Sequence, residues 1–218
     1  MKTDPNRWNS LPGSFDALNT RQILYSDNEW GIPNMKKAPL STVPEWLAPY
    51  RTRFRSKRML DLSRGGYHFF IPDHSMKCVW ERPQVAIKFM RKLPVVLSPN
   101  FSLARRERAG QLLAVYKNRW CGAWWQSQGL TVIASISWAG IESYEFCFAG
   151  VESDGIVAIS AQNYRQYPAG FDEMVSRLSP AMILCLGDLP TGFAPSAQLL
   201  RAPQVRIYPD KWDVKNIL

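Results

Sequence analysis

The stretch LPVVLSPNFSLARRERAGQLLAVYKNRWCGAWWQSQGLTVIASIS (93–137) holds two short apolar runs with a long helical pattern between them. The runs are LPVVLS (93–98) and TVIASIS (131–137). Both are rich in β-formers and apolar on successive residues, as a strand covered on both faces should be. Between them, residues 102–127 read as one helix. At about 100° per residue, Ala109, Leu112, Leu113, Tyr116, Trp120, Ala123 and Trp124 fall in one apolar stripe. Trp120 and Trp124 therefore read as core. Trp125 leaves the stripe and is expected under an N-terminal arm or in solvent. Ser102 is the expected N-cap and Gly129 the residue that ends the helix. A strand, a helix and a second strand at this spacing make a βαβ unit with a right-handed crossover.

The same alternation extends outward. Further apolar runs occur at YHFFIP (67–72), GIVAIS (155–160), AMILCLG (181–187) and QVRIYP (204–209). Helix-compatible segments lie at 76–91, 141–148 and 170–178. The fold class is therefore α/β, with a mostly parallel sheet of about six strands and flanking helices. An open doubly wound sheet and an incomplete barrel both satisfy the pattern.

Residues 1–60 differ from the α/β domain at 61–218. Prolines fall at 5, 12, 33, 39, 44 and 49, and periodicity is weak. Trp8, Trp30 and Trp46 are more than a disordered tail retains. An irregular arm, tied to the main domain by these rings, is expected. It ends in YRTRFRSKR (50–58), the densest basic cluster of the chain. As extended chain this puts Arg51, Arg53 and Arg55 on one face and Thr52, Phe54 and Ser56 on the other.

The charge is uneven. Residues 1–120 carry 21 Lys and Arg against 9 Asp and Glu, or +12, and residues 121–218 carry 6 against 9, or −3. A basic half suggests a polyanionic partner, most simply nucleic acid. With 46% hydrophobic and 12% aromatic residues, the 218-residue chain can bury a sizeable core. No apolar run approaches the roughly 18 residues of a membrane helix, and the first residues lack a signal peptide's apolar centre. A cytoplasmic protein is expected. Cys78, Cys121, Cys147 and Cys185 are dispersed among apolar neighbours and read as free buried thiols. The two histidines, His68 and His74, are not in metal-ligand spacing, so neither a metal nor a cofactor is expected.

Ligands of parallel α/β folds sit at the carboxyl ends of the strands. The residues expected there are Asp73 and His74; Ser98, Asn100 and Ser102; Ser137, Trp138 and Glu142; Gln162, Asn163 and Tyr164; Asp188; and Asp210 and Lys211. Asp73, Glu142 and Asp188 are the candidate acid–base groups for a hydrolase acting on a phosphate or sugar. Arg105, Arg106 and Arg108 open the long helix, where added positive charge would favour an anion.

Five segments carry a family resemblance: GIPNM (31–35), HFFIPDHSMKCVWERP (68–83), VLSPNFSL (96–103), NRWCGAWWQSQGLTVIASISW (118–138) and ESYEFCFAGV (142–151). In order and spacing they resemble the DUF4417 family of bacteriophages and bacterial mobile elements. The resemblance spans roughly residues 30–190. It implies a phage setting inside a bacterial host, where replication and transcription factors are common, and it implies no catalytic residue.

Three functions follow as expectations. The first is a sequence-tolerant binder of single-stranded DNA, using Arg51, Arg53, Phe54, Arg55, Lys57, Arg58, Arg105, Arg106 and Arg108 as a basic track with stacking rings. The second is the hydrolase. The third is a protein that recruits or inhibits a larger machine, such as a polymerase, through charge steering.

Overall fold

The computed structural model describes residues 18–20, 22–52, 61–188 and 204–209. Among these, seven strands form one parallel sheet. They are β1 (Trp46–Pro49), β2 (Gly65–His68), β3 (Val95–Leu97), β4 (Thr131–Ser135), β5 (Ile156–Ser160), β6 (Met182–Leu186) and β7 (Gln204–Tyr208). Their order in space is their order in the chain. Right-handed crossovers that always step the same way keep every helix on one face, so the sheet curls about the other. A doubly wound sheet would need a reversal of strand order, and there is none among the described strands. The two edges meet. Tyr208 Oη of β7 donates to the Pro44 carbonyl at 2.6 Å, and Arg206 donates to the Glu45 carbonyl at 3.3 Å, both just before β1. The result is a nearly closed barrel.

Alternation along the strands sorts the core into two clusters. Trp46, Ala48, Tyr67, Val96, Val132, Ala134, Val157, Ile159, Ile183 and Cys185 pack outward with helix residues such as Val115, Trp125 and Phe171. Leu47, Val95, Leu97, Ile133, Ile156, Ala158, Leu184, Leu186 and Tyr208 form the second cluster, which contains no helix residue. That cluster fills the barrel.

The helices are α1 (Asp73–Glu81), α2 (Pro83–Met90), α3 (Arg108–Ser127), α4 (Ala161–Gln166) and α5 (Ala169–Leu178), with a 3₁₀ turn at Ile141–Glu145. The segment read as one helix over 76–91 divides at Pro83, which cannot donate into the preceding turn and instead starts α2. The seventh strand, β1, lies inside the segment read as an arm. Pro44 and Pro49 bracket a run too short to show periodicity.

The long helix begins at Arg108, not at Ser102. The backbone before it is held by tertiary partners. Asn118 accepts from the Phe101 N–H at 2.7 Å and donates to its carbonyl at 3.3 Å. The Ser102 N–H donates to Asp73 at 3.1 Å. Arg105 then turns through a left-handed φ of 57°. At the other end the expected stop holds. Gly129, at φ 81°, donates to Gln126, and Leu130 donates to Trp125, which is the Schellman pattern.

The buried face of α3 is rotated from the apolar stripe. Ala109 is exposed and Leu112 and Leu113 are half-buried, while Gln111, Ala114, Val115, Asn118, Cys121, Gly122 and Trp125 are buried. Trp125, expected off the core, is fully buried against Phe69, ring centroids 5.3 Å apart. Trp120 and Trp124 are also buried, but under the arm. Their indole N–H groups donate to the Gln22 backbone at 3.0 Å and side chain at 2.6 Å. A stripe drawn from hydrophobicity misses this because polar Gln111 and Asn118 occupy the inner face with internal partners.

Arm and helix are joined at a close approach. A Cβ on Gly122 would meet Met35 Sδ at 2.4 Å and Ser98 Cβ at 3.2 Å, so only glycine lets α3 lie this near the arm and β3. Trp30 packs edge-on against Phe146, centroids 5.8 Å apart, and Trp46 is buried. Trp8 lies outside the described residues.

Candidate functional site

The mouth of the barrel, at the carboxyl ends of the strands, brings together polar residues from several strands. Paired residues run Pro49–His68, Tyr67–Val96, Leu97–Ile133, Ala134–Val157, Ile156–Met182 and Met182–Gln204. A row that starts at the last residue of β1 thus finishes at the first residue of β7. This is a stagger of roughly one residue per strand, as a tilted, curling sheet requires. With that stagger, His68, Ser135 and Leu186 share an inward-facing layer, and Phe70 and Ser137 lie in the layer above.

His68 is 3% exposed. Its Nδ1 accepts from the Phe70 N–H at 3.3 Å, so the proton of the neutral ring sits on Nε2. Nε2 has no hydrogen-bond partner among the described residues. Burial alone lowers the imidazole pKa from 6.5 to about 4. The ring stacks on half-buried Phe70, centroids 6.1 Å apart. Ser137 Oγ is buried without a partner, whereas Ser135 Oγ donates to the Ser98 carbonyl at 2.7 Å. Ser160 caps α4 by accepting from the Gln162 N–H at 3.2 Å. His68 and Phe70 are absent from the residues expected at strand ends, because they sit inside the apolar run YHFFIP. Their shared period of two was the available signal.

The rim carries the arginines. Arg51 leaves the end of β1 in a left-handed turn, φ 70°, rather than as extended chain. Its guanidinium lies 3.0 Å from Cys78 Sγ and over the Tyr50 ring. Arg53, Phe54, Arg55, Lys57 and Arg58 lie outside the described residues. In the loop after β3, Arg105 is exposed and has no ion-pair partner among the described residues. Its neighbours differ. Arg106 pairs with Asp73 at 2.6 Å, and Arg108 pairs with Glu145. The expected arginine-flanked helix start therefore reduces to one uncompensated cation, since Arg105 and Arg106 precede the helix and acids hold two of the three.

The three candidate carboxylates have separate settings. Asp73 accepts from Ser102 and Arg106, and ties the loop after β2 to the loop after β3. Glu142 is exposed on the 3₁₀ turn after β4. Asp188 is exposed after Gly187 (φ 89°), and its carbonyl accepts from Arg165. Asn163 pairs with the Trp138 backbone. Asp210 and Lys211 lie outside the described residues. All four cysteines are free thiols, and Cys121 is no nucleophile, because full burial raises its pKa. Among the described residues, no His, Cys, Asp and Glu group is arranged to hold a metal, and no helix is long and apolar enough to cross a membrane.

A separate cavity of about 420 Å³ lies outside the barrel, lined by Trp30, Glu145, Phe148 and Arg177 among others. It is shallow, and two of its three charged groups are already committed, Glu145 to Arg108 and Arg177 to Glu173, while Glu29 is exposed. The mouth is the stronger candidate, because parallel barrels bind ligands at that end.

The chain is similar to known phage proteins. It is 34% identical over 214 residues to the Gene 1 protein of Mycobacterium phage D29, covering 94% of this chain and 76% of that protein. It is 33% identical over 214 residues to the Gene 1 protein of Mycobacterium phage L5, covering 94% and 90%. No solved structure matches. The family pattern described as "Domain of unknown function (DUF4417)" matches residues 24–200, which takes in the later part of the arm and the α3 seam. The chain belongs to the DUF4417 family.

Proposed function

We propose that this protein binds nucleic acid, single-stranded DNA foremost, through the rim of its barrel mouth, in phage replication or transcription. The observation that supports this is that two arginines without an acidic partner among the described residues, Arg51 and Arg105, lie at the same end of the barrel. Arg51 follows β1 and Arg105 follows β3, so both emerge at the carboxyl end of the sheet. Arg53, Arg55, Lys57 and Arg58 follow Arg51 directly in the chain. A phosphate backbone crossing from the β1 loop to the β3 loop would meet positive charge on both sides and release counterions.

Fluorescence anisotropy with labelled single-stranded DNA, single-stranded RNA and duplex DNA tests the reading across a salt series. Affinity is expected to be highest for single strands and to fall steeply with salt. Absence of binding to all three at about 50 mM salt, where backbone contacts are strong, overturns it.

A further inference from the structure

The rim carries Arg51 and Arg105 together with the exposed carboxylates Glu142 and Asp188, but the residues inside the mouth are neutral. His68, Phe70, Ser135, Ser137 and Ser160 carry no cation, so they do not suit a phosphate. They offer instead an aromatic face and neutral hydrogen-bonding groups. One of those groups, Ser137 Oγ, is buried without a partner, and the N–H side of His68 has no hydrogen-bond partner among the described residues. A buried polar group left unpaired costs about 1–3 kcal/mol, and native structures usually satisfy it. Such groups lining the ligand-binding end of a barrel are placed to be satisfied by what enters.

We infer that the barrel mouth receives one unstacked nucleobase, with Phe70 against its face and His68 Nε2 and Ser137 Oγ at its polar edge. This rests on the nucleic-acid reading of the rim and adds its ligand contact. The chemistry fits. Each base combines a π-face with edge acceptors, single-strand binders stack bases on aromatic side chains, and an extruded base is read by hydrogen bonds in an enclosed pocket. A neutral imidazole donates one N–H to a carbonyl or ring nitrogen without attracting an anion. Burial keeps His68 in that neutral state at pH 7.

The chain has two histidines, His68 and His74, so imidazole NMR of the full-length protein gives two signals that His74→Gln assigns. The probes are the four deoxynucleosides, deoxyribose 5-phosphate and a short single-stranded DNA. The expected result is a saturable shift of the His68 signal with at least one deoxynucleoside and with the DNA, but not with the sugar phosphate. Ser137→Ala should weaken nucleoside binding about tenfold, the loss of one good hydrogen bond. It should not lower the melting temperature, because it deletes an unpaired buried hydroxyl. Phe70→Ala should weaken binding by a similar factor.

The outcomes separate the two readings. DNA binding with a stationary His68 signal overturns this inference and leaves the rim reading standing. A nucleoside shift without DNA binding supports the base site and overturns the rim. A sugar phosphate that moves His68 as far as the nucleosides do overturns the base assignment. Binding of neither probe class overturns both.

Discussion

The side-chain amide of Gln126 pairs with both backbone groups of Lys36. It accepts from the Lys36 N–H at 2.9 Å and donates to the Lys36 carbonyl at 2.7 Å. The same amide nitrogen lies 3.3 Å from the Val132 carbonyl. One side chain thus ties the arm to α3 and to β4. Gln126 and Met35 belong to two of the segments that carry the family resemblance, WCGAWWQ and GIPNM, and those segments meet in space at this seam.

Gln126→Ala should therefore loosen the arm more than it unfolds the barrel. The expected loss is about 1–2 kcal/mol, since the two bonds to Lys36 are partly exposed. Urea denaturation would measure it. Limited proteolysis should cut the segment before β1 faster in the variant, and an unchanged cleavage rate would refute the clamp.

Arg119 is 1% exposed and has no acidic partner among the described residues. Its guanidinium donates to three carbonyls, those of Ala149 at 3.1 Å, Ser135 at 2.9 Å and Cys147 at 2.9 Å. Burial lowers its pKa from 12.5 to about 10, so it remains charged at neutral pH. Arg119→Lys keeps the charge but cannot span three acceptors with one ammonium. A loss of roughly 3 kcal/mol is expected, read as a lower urea midpoint. Wild-type stability in Arg119→Lys would show that the fork geometry does not matter.

His68 makes stability fall in acid. Its folded pKa is about 4 against 6.5 for the free side chain. Between these values the unfolded chain binds a proton that the native chain refuses. The contribution is fully present above about pH 6.5 and is lost as pH falls towards 4, roughly 3 kcal/mol in all. Thermal melts of wild type and His68→Gln should keep a constant separation above about pH 6.5, and wild type should lose stability relative to the variant as pH falls towards 4. Parallel curves would contradict a neutral buried imidazole.

The three arginines before and at the start of α3 should contribute unequally to nucleic-acid binding. Arg105→Ala should weaken it and reduce the salt slope by about 1. Arg106→Ala and Arg108→Ala should have smaller effects, because Asp73 and Glu145 already hold those cations. Asp73→Asn should raise affinity by freeing Arg106. Anisotropy titrations at three salt concentrations give all four slopes, and equal effects for the three arginines would count against the rim geometry.

Gly122→Ala should destabilise by about 1–2 kcal/mol, since the added methyl overlaps Met35. Combining it with Met35→Ala should cost less than the two singles together. Additive losses in chemical denaturation would place the clash elsewhere.

Much of the fold was legible along the chain. Each of the six apolar runs contains strand residues, because a strand covered on both faces must be largely apolar, although β2 takes only Tyr67 and His68 from YHFFIP. Gly129 ends α3 because its left-handed φ excludes most other residues. The end of α3 could be read and its start could not. Ser102 and Arg105 have helix-compatible neighbours, but Asp73 and Asn118, 29 and 17 residues away from their backbone partners, take up the hydrogen bonds first. The site was harder still. His68 looks like any residue of a strand until the curl of the sheet decides which face is enclosed.

The sequence by itself determined the α/β class, the parallel strands, the basic half and the family. These depend on local pattern and composition, which neighbouring residues impose on one another. Only the tertiary structure decided that the sheet curls into a barrel, that Trp125 rather than Trp120 faces it, and which arginines remain free. Each of those depends on a partner distant in the chain: Pro44 for Tyr208, Phe69 for Trp125, Asp73 for Arg106. Burial and charge pairing are properties of that juxtaposition, and no residue carries them alone.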